Sequence, residues 1–197
     1  MAVFRRCHVV WLGAVGLGPG PAVAQDYRLD PARTSVEFTV RHMGVLTVHG
    51  SFDTIAGAVH LQDAAGSGPV VEVVVQAASI DTDHSLRDRS LRSKAFFDVQ
   101  RYPVITFHST DVEPGDSGYS VAGLLVIRGD TSVIRFAAAV AADSSATAPP
   151  ELRIEALFDL SRKRLGLHFD STLDPLIGDR VSMRVSAVAV GDGANLP

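Results

Sequence analysis

Apolar residues recur at every second position through most of the chain. Val36, Phe38 and Val40 alternate with Glu37, Thr39 and Arg41, and Leu46, Val48 and Phe52 share one parity with Gly50 among them. Val59 and Leu61 continue the pattern up to a Gly66–Pro69 turn cluster, and Val70 to Gln76 is a valine run broken by Glu72. The same rhythm returns in Val104 to His108, then after the Pro114–Gly118 turn in Tyr119 to Ile127. Ile134, Phe136, Ala138 and Val140 mark a strand over Ser132 to Val140. Leu152, Ile154, Ala156, Phe158 and Leu160 mark the next, and Val181, Met183, Val185 and Ala187 close the series. A period of two predicts strands with one face inward, and eight or nine of them between turn clusters predict an antiparallel sandwich or barrel. No strand–helix–strand rhythm appears, which disfavours a doubly wound sheet.

Two stretches break the pattern. Asp83 to Phe97 has Leu86, Ser90, Leu91 and Lys94 at helical spacing, so a short helix capped by Asp83 or Ser85 is expected, with Arg87, Arg92 and Lys94 solvated. Ala141 to Pro150, rich in alanine and serine, reads as one long loop. The amino-terminal segment differs again. Arg5 and Arg6 precede the apolar run Val9 to Leu17, which falls short of the roughly 20 residues a membrane span needs. Gly18 to Pro21 end that run, and Ala22-Val23-Ala24 has the small-x-small form cut by signal peptidase. Residues 1–24 are therefore expected to be a signal peptide, with one domain over 25–197 in the periplasm or secreted.

Composition narrows the function. Of 197 residues, 46% are hydrophobic and 20% charged, a globular balance, and the net charge of −4 gives no electrostatic footprint for nucleic acid. The single cysteine, Cys7, lies inside the expected signal peptide, which excludes a disulfide framework and a multi-cysteine zinc site. GxSxG, HExxH and glycine-rich phosphate loops are all absent, and His108-Ser109 would point to opposite faces of one strand. Asp81/Asp83 and Asp170/Asp174 read as turn and cap residues. No catalytic residue, metal or cofactor is assigned.

What remains is the apolar face. Phe38, Phe52, Phe107, Phe136 and Phe158 recur on inward parities with Val40, Leu46, Ile134, Ile154 and Met183, while Gly50, Gly123, Ala138 and Ala156 leave gaps among them. An eight-stranded barrel is just wide enough either to be filled by side chains or to hold one small ligand, and the pattern is consistent with both.

Several segments are recognisable. Ser35-Val36-Glu37-Phe38-Thr39-Val40-Arg41-His42-Met43-Gly44, the Gly50-Ser51-Phe52 triplet, and Ala78-Ser79-Ile80-Asp81-Thr82 resemble the YceI-like family of exported lipid-binding proteins. So do Arg87-Asp88, Leu91-Arg92-Ser93, Phe96-Phe97-Asp98-Val99, Tyr102-Pro103-Val104-Ile105-Thr106-Phe107-His108-Ser109, and Gly123 to Thr131. The chain departs from the family in having Thr34-Ser35 where His-Ser is usual, and in the Ser171–Leu176 loop. The resemblance implies an all-β fold, an extended eight-stranded lipocalin-like barrel with a short helical segment near one end. It also implies a carrier without catalysis, whose guest is the tail of a polyprenyl phosphate, a quinone or a fatty amide. Phe38, Val40, Phe52, Phe107, Ile134, Phe136 and Phe158 are expected to line the interior. His42, on the parity of Phe38 and Val40, would face inward near a strand end. Arg87 would meet a headgroup with Asp88 orienting it. The expected partners are such a lipid, a transient membrane contact and a second copy of the chain. The alternatives are a lipid-modifying enzyme using His42 with Asp88, and a solid, ligand-free adaptor barrel.

Overall fold

The computed structural model describes residues 26–61, 68–116, 118–143, 149–168 and 174–192. The expected signal peptide with its cleavage site, the Gly66-Ser67 half of the first turn cluster, Asp170, and residues 144–148 of the expected loop lie outside them.

The chain opens with two bent strands. β1 (Asp26–Leu29) and β2 (Ser35–His42) are halves of one strand, split by a 3-10 turn over Pro31–Arg33. Pro31 supplies the preset backbone for that turn, and the Asp30 carboxylate caps it by accepting the Ala32 N–H at 2.9 Å. β3 (Leu46–Phe52) and β4 (Ile55–His60) are likewise halves of one strand. Then follow β5 (Val70–Gln76), the two-residue β6 (Ile80–Asp81), helix α1 (Ser85–Arg92), β7 (Val104–Gly115), β8 (Gly118–Ile127), β9 (Asp130–Asp143), β10 (Glu151–Ser161) and β11 (Ile177–Gly191).

Every pairing is antiparallel. The order β1-β4-β5-β7-β8-β9-β10-β11 closes on itself because Tyr27 to Leu29 pair with Ala189 to Gly191. β2, β3 and β6 continue from the other half of β11. With each bent pair counted as one strand, this is the expected closed barrel of eight antiparallel strands. Register sets the inside. Phe38 stands opposite Met183 and Gly50, Val36 opposite Val185 and Phe52, and Ile154 opposite Ala187 and Val140. Outward positions pair polar groups: the Ser186 hydroxyl donates to Glu155 and the Ser182 hydroxyl to Asp159, each at 2.6 Å.

Several details differ from the sequence reading. Helix α1 is capped by His84, whose Nδ1 accepts the Arg87 N–H at 3.3 Å, and not by Asp83 or Ser85. Asp83 instead sits at φ 58°, bonded through its N–H to the Asp81 carboxylate. Ala141 to Asp143 belong to β9, since they pair with Arg153, Leu152 and Glu151. Pro114 and Gly115 still pair as the end of β7. Ladder hydrogen bonds between neighbours outweigh loop-like composition at these ends.

One end of the barrel is plugged. Leu91 of α1, Phe96, Phe97, Ile80, Leu165 and Leu167 form a single cluster there. Arg162 fastens this end. Its guanidinium, 2% exposed, donates to the carbonyls of Gly178, Leu167, Asp174 and Ile177 and to the Asp174 carboxylate at 2.5 Å. These bonds tie the turn after β10 to the start of β11. Replacing Arg162 by leucine strands those acceptors in a buried place, so Arg162→Leu is expected to lower stability by about 3–5 kcal/mol, read from urea unfolding.

On the surface, Arg33 bridges the β1/β2 break to β10 through Asp30 at 2.6 Å and Glu151 at 2.9 Å. Its hydrogen bonds hold both carboxyls below their usual values, and the Lys163 N–H followed by the Ser161 hydroxyl does the same for Asp179. A carboxyl lowered on folding contributes stability that is complete above its unfolded pKa and lost as pH falls through the folded one. Thermal stability is therefore expected to hold above about pH 5 and to fall below it, with a shallower fall in the Asp30→Asn/Glu151→Gln variant.

Candidate functional site

The barrel is hollow. A cavity of about 870 Å³ runs through it, from His42 and Val48 at the plugged end to Leu61, Tyr119 and Ala142 at the other. This volume is at the upper end for pockets that take small ligands.

The wall shows how the space is kept. Phe38 and Phe107 each lie against a glycine: a Cβ on Gly50 would fall 2.4 Å from the Phe38 ring, and one on Gly123 2.6 Å from the Phe107 ring. The rings can therefore fold back onto the sheet and leave the centre free. Phe107, Phe136 and Phe158 form a continuous aromatic strip, with centroids 5.6 Å and 4.5 Å apart and the second pair stacked. Phe38, Phe52 and Phe97 form a second strip toward the plug, each step 5.9 Å. Such offset contacts hold the rings in place beyond simple burial.

Of the residues singled out from sequence, Phe38, Val40, His42, Phe52 and Arg87 line the cavity. Phe107, Ile134, Phe136 and Phe158 line it as well. Leu46 does not; it lies past the rim and is 57% exposed. Asp88 is the other departure. It is buried, is not part of the wall, and accepts the Thr82 hydroxyl at 2.5 Å and the Thr82 N–H at 3.0 Å. Arg87 reaches the same threonine, its Nε donating to the hydroxyl at 2.7 Å and its Nη2 to the carbonyl at 2.6 Å. Asp88 thus orients Arg87 through Thr82. The expectation that Arg87 is solvated fails because this bridge draws it onto the cavity wall.

Polar lining gathers toward the plugged end: Thr82, His84, Arg87 and Ser90 on the flank between β3 and α1, His42 at the end of β2, and Arg162 just after β10. Deeper in, the Thr34 hydroxyl is buried in the wall with no hydrogen-bond partner among the described residues. Sequence reasoning missed Thr34, Thr82, Phe96 and Phe97. The Phe96-Phe97 pair lacks strand alternation, and the two threonines sit in breaks between strands where parity carries no information. Other histidines take local roles: His60 meets Asp26 at 2.8 Å and His108 meets Glu72 at 3.2 Å. The Ser109 hydroxyl, on the opposite face from His108, accepts the Val71 N–H.

The family profile of the YceI-like domain matches residues 27–189. This chain belongs to the YceI-like family. A UPF0312 protein of Yersinia pestis (strain Pestoides F) is 38% identical over 125 residues, covering 62% of this chain and 65% of that protein. The match thus spans just under two thirds of that curated relative. Among solved structures, Burkholderia cenocepacia BcnA superposes with a TM-score of 0.70 at 22% identity, covering 82% of this chain and 99% of that one. A polyisoprenoid binding domain from Saccharophagus degradans, implicated in plant cell wall breakdown, gives 0.63 at 18% identity, covering 83% and 97%. This YceI-like chain shares their barrel fold.

The glycine–ring contacts make a direct prediction. A Cβ at Gly123 would also meet the His108 carbonyl at 2.5 Å, so both backbone and ring must give way. Gly123→Ala is expected to cost about 1–3 kcal/mol in urea unfolding.

Proposed function

We propose that this YceI-like chain is an exported carrier that holds one long-chain isoprenoid or similar amphiphile, such as a polyprenyl phosphate, a quinone or a fatty amide, without altering it. The observation that carries the proposal is an apolar cavity along the barrel whose charged lining groups, Arg87 and Arg162, both lie toward the plugged end. Each methylene moved from water into such a lumen contributes about 0.8 kcal/mol, so a slender tail is held by shape and apolarity alone. The barrel of the Saccharophagus degradans polyisoprenoid binding domain supports the same reading. The amino-terminal segment of residues 1–24 supports export.

Within this proposal the tail lies against the Phe107–Phe136–Phe158 strip and the polar head rests at Arg87. Two of the guanidinium's donors are engaged by Thr82, which fixes its plane toward the cavity and leaves Nη1 to meet a phosphate or carboxylate. Extracting the purified protein with organic solvent and weighing the extract by mass spectrometry tests the reading. One long-chain molecule per protein is expected, and protein from several expression hosts that yields no stoichiometric lipid would end it. Arg87→Gln is expected to weaken geranylgeranyl phosphate about 10- to 100-fold while leaving geranylgeraniol nearly unchanged, as follows from losing a charged hydrogen bond.

A further inference from the structure

The turn joining β2 to β3 breaks the ordinary rules of turn chemistry. Met43 and Gly44 both have positive φ, at 53° and 73°. At such a position a non-glycine residue is usually asparagine or aspartate, whose short polar side chains tolerate the left-handed region. Here it is a methionine, 58% exposed. Val45 follows at 83% and Leu46 at 57%. Leu176, 39% exposed, lies alongside, its carbonyl accepting the Met43 N–H at 2.6 Å. Four apolar side chains thus crown one knob without joining the interior. A local rule broken with no packing gain marks a working surface.

The knob stands on the rim of the cavity. Leu46 pairs with His42 and His42 with Ile177, and both His42 and Ile177 line the lumen. The same end of the barrel carries Arg41, Lys163, Arg164 and Arg180 on its surface. Lys163 lies 3.6 Å from Asp174 and Arg180 3.7 Å from Asp159, while Arg41 and Arg164 form no salt bridge among the described residues. Of the carboxylates at this end, Asp174 is held by Arg162, while the exposed Asp179 accepts the Ser161 hydroxyl and the Lys163 N–H. A convex tip of four side chains falls short of the ~800 Å² per partner that a stable protein interface needs. Apolar groups flanked by cations match instead the acyl boundary and phosphates of an anionic bilayer.

We propose that the Met43–Leu46 knob, with Leu176, inserts into the surface of an anionic lipid bilayer and places the cavity rim against it. The plugged end, with the His42 side of the cavity behind it, then faces the bilayer. This rests on the carrier reading for its purpose, but docking is measured on the protein itself. Co-sedimentation with phosphatidylcholine vesicles, with and without phosphatidylglycerol, tests it. The protein is expected to pellet with the anionic vesicles and to release as salt rises. The Met43→Ser/Val45→Ser/Leu46→Ser variant is expected to bind them at least tenfold more weakly, as is Val45→Ser to a smaller extent, with the wild-type circular dichroism spectrum and unchanged affinity for geranylgeranyl phosphate in solution. Wild-type protein left in the supernatant with both vesicle types overturns the proposal, as does a triple variant that pellets like wild type, or recovery dependent on added protein partners alone. Loss of geranylgeranyl phosphate binding with docking intact would count against the carrier reading and leave the knob as a membrane contact.

Discussion

Ring closure is the constraint on which the rest depends. When Tyr27 to Leu29 pair with Ala189 to Gly191, a bent sheet becomes a tube, and every strand acquires one face that water cannot reach from the side. Closure removes exposed sheet edges around the ring and commits one parity of each strand to a common interior. The breaks at Pro31–Arg33 and at Asp53–Thr54 let the first two strands bend enough to serve this tube and to flare into the β2–β3 hairpin beyond it.

A closed tube of this strand number is not automatically hollow. Phenylalanines line it from the plug to the Phe158 ring, enough to fill much of the centre if their rings pointed straight across. Gly50 and Gly123 decide the outcome locally, because a missing Cβ gives the neighbouring ring a place to lie flat. Ala138 and Ala156, opposite each other on β9 and β10, thin the wall in the same way. The lumen is held open by small residues on the wall as much as by large ones around it.

Polarity is distributed to match. Buried charge is concentrated at the plugged end, where Arg162 is saturated by carbonyls and Asp174, and at the flank, where Thr82 is shared by Arg87 and Asp88. The first arrangement closes a turn. The second presents a cation to the cavity while keeping its carboxylate off the wall. Along most of its length the lumen offers only hydrocarbon and aromatic rings, so affinity there scales with buried length and does not depend on directional bonds.

Much of this was legible in the sequence. Alternation in β2, β9, β10 and β11 fixes which residues face inward, because a strand has period two and a one-residue slip would invert every side chain. The segments around Arg87-Asp88 and Phe96-Phe97 carried the family resemblance. Tertiary structure decided the matters that depend on distance across the tube. It determined that the interior is hollow, that Asp88 reaches Arg87 only through Thr82, that Leu46 overshoots the rim, and that His84 caps α1. Those outcomes follow from how far each side chain extends from strands distant in sequence, and periodicity holds no record of such distances.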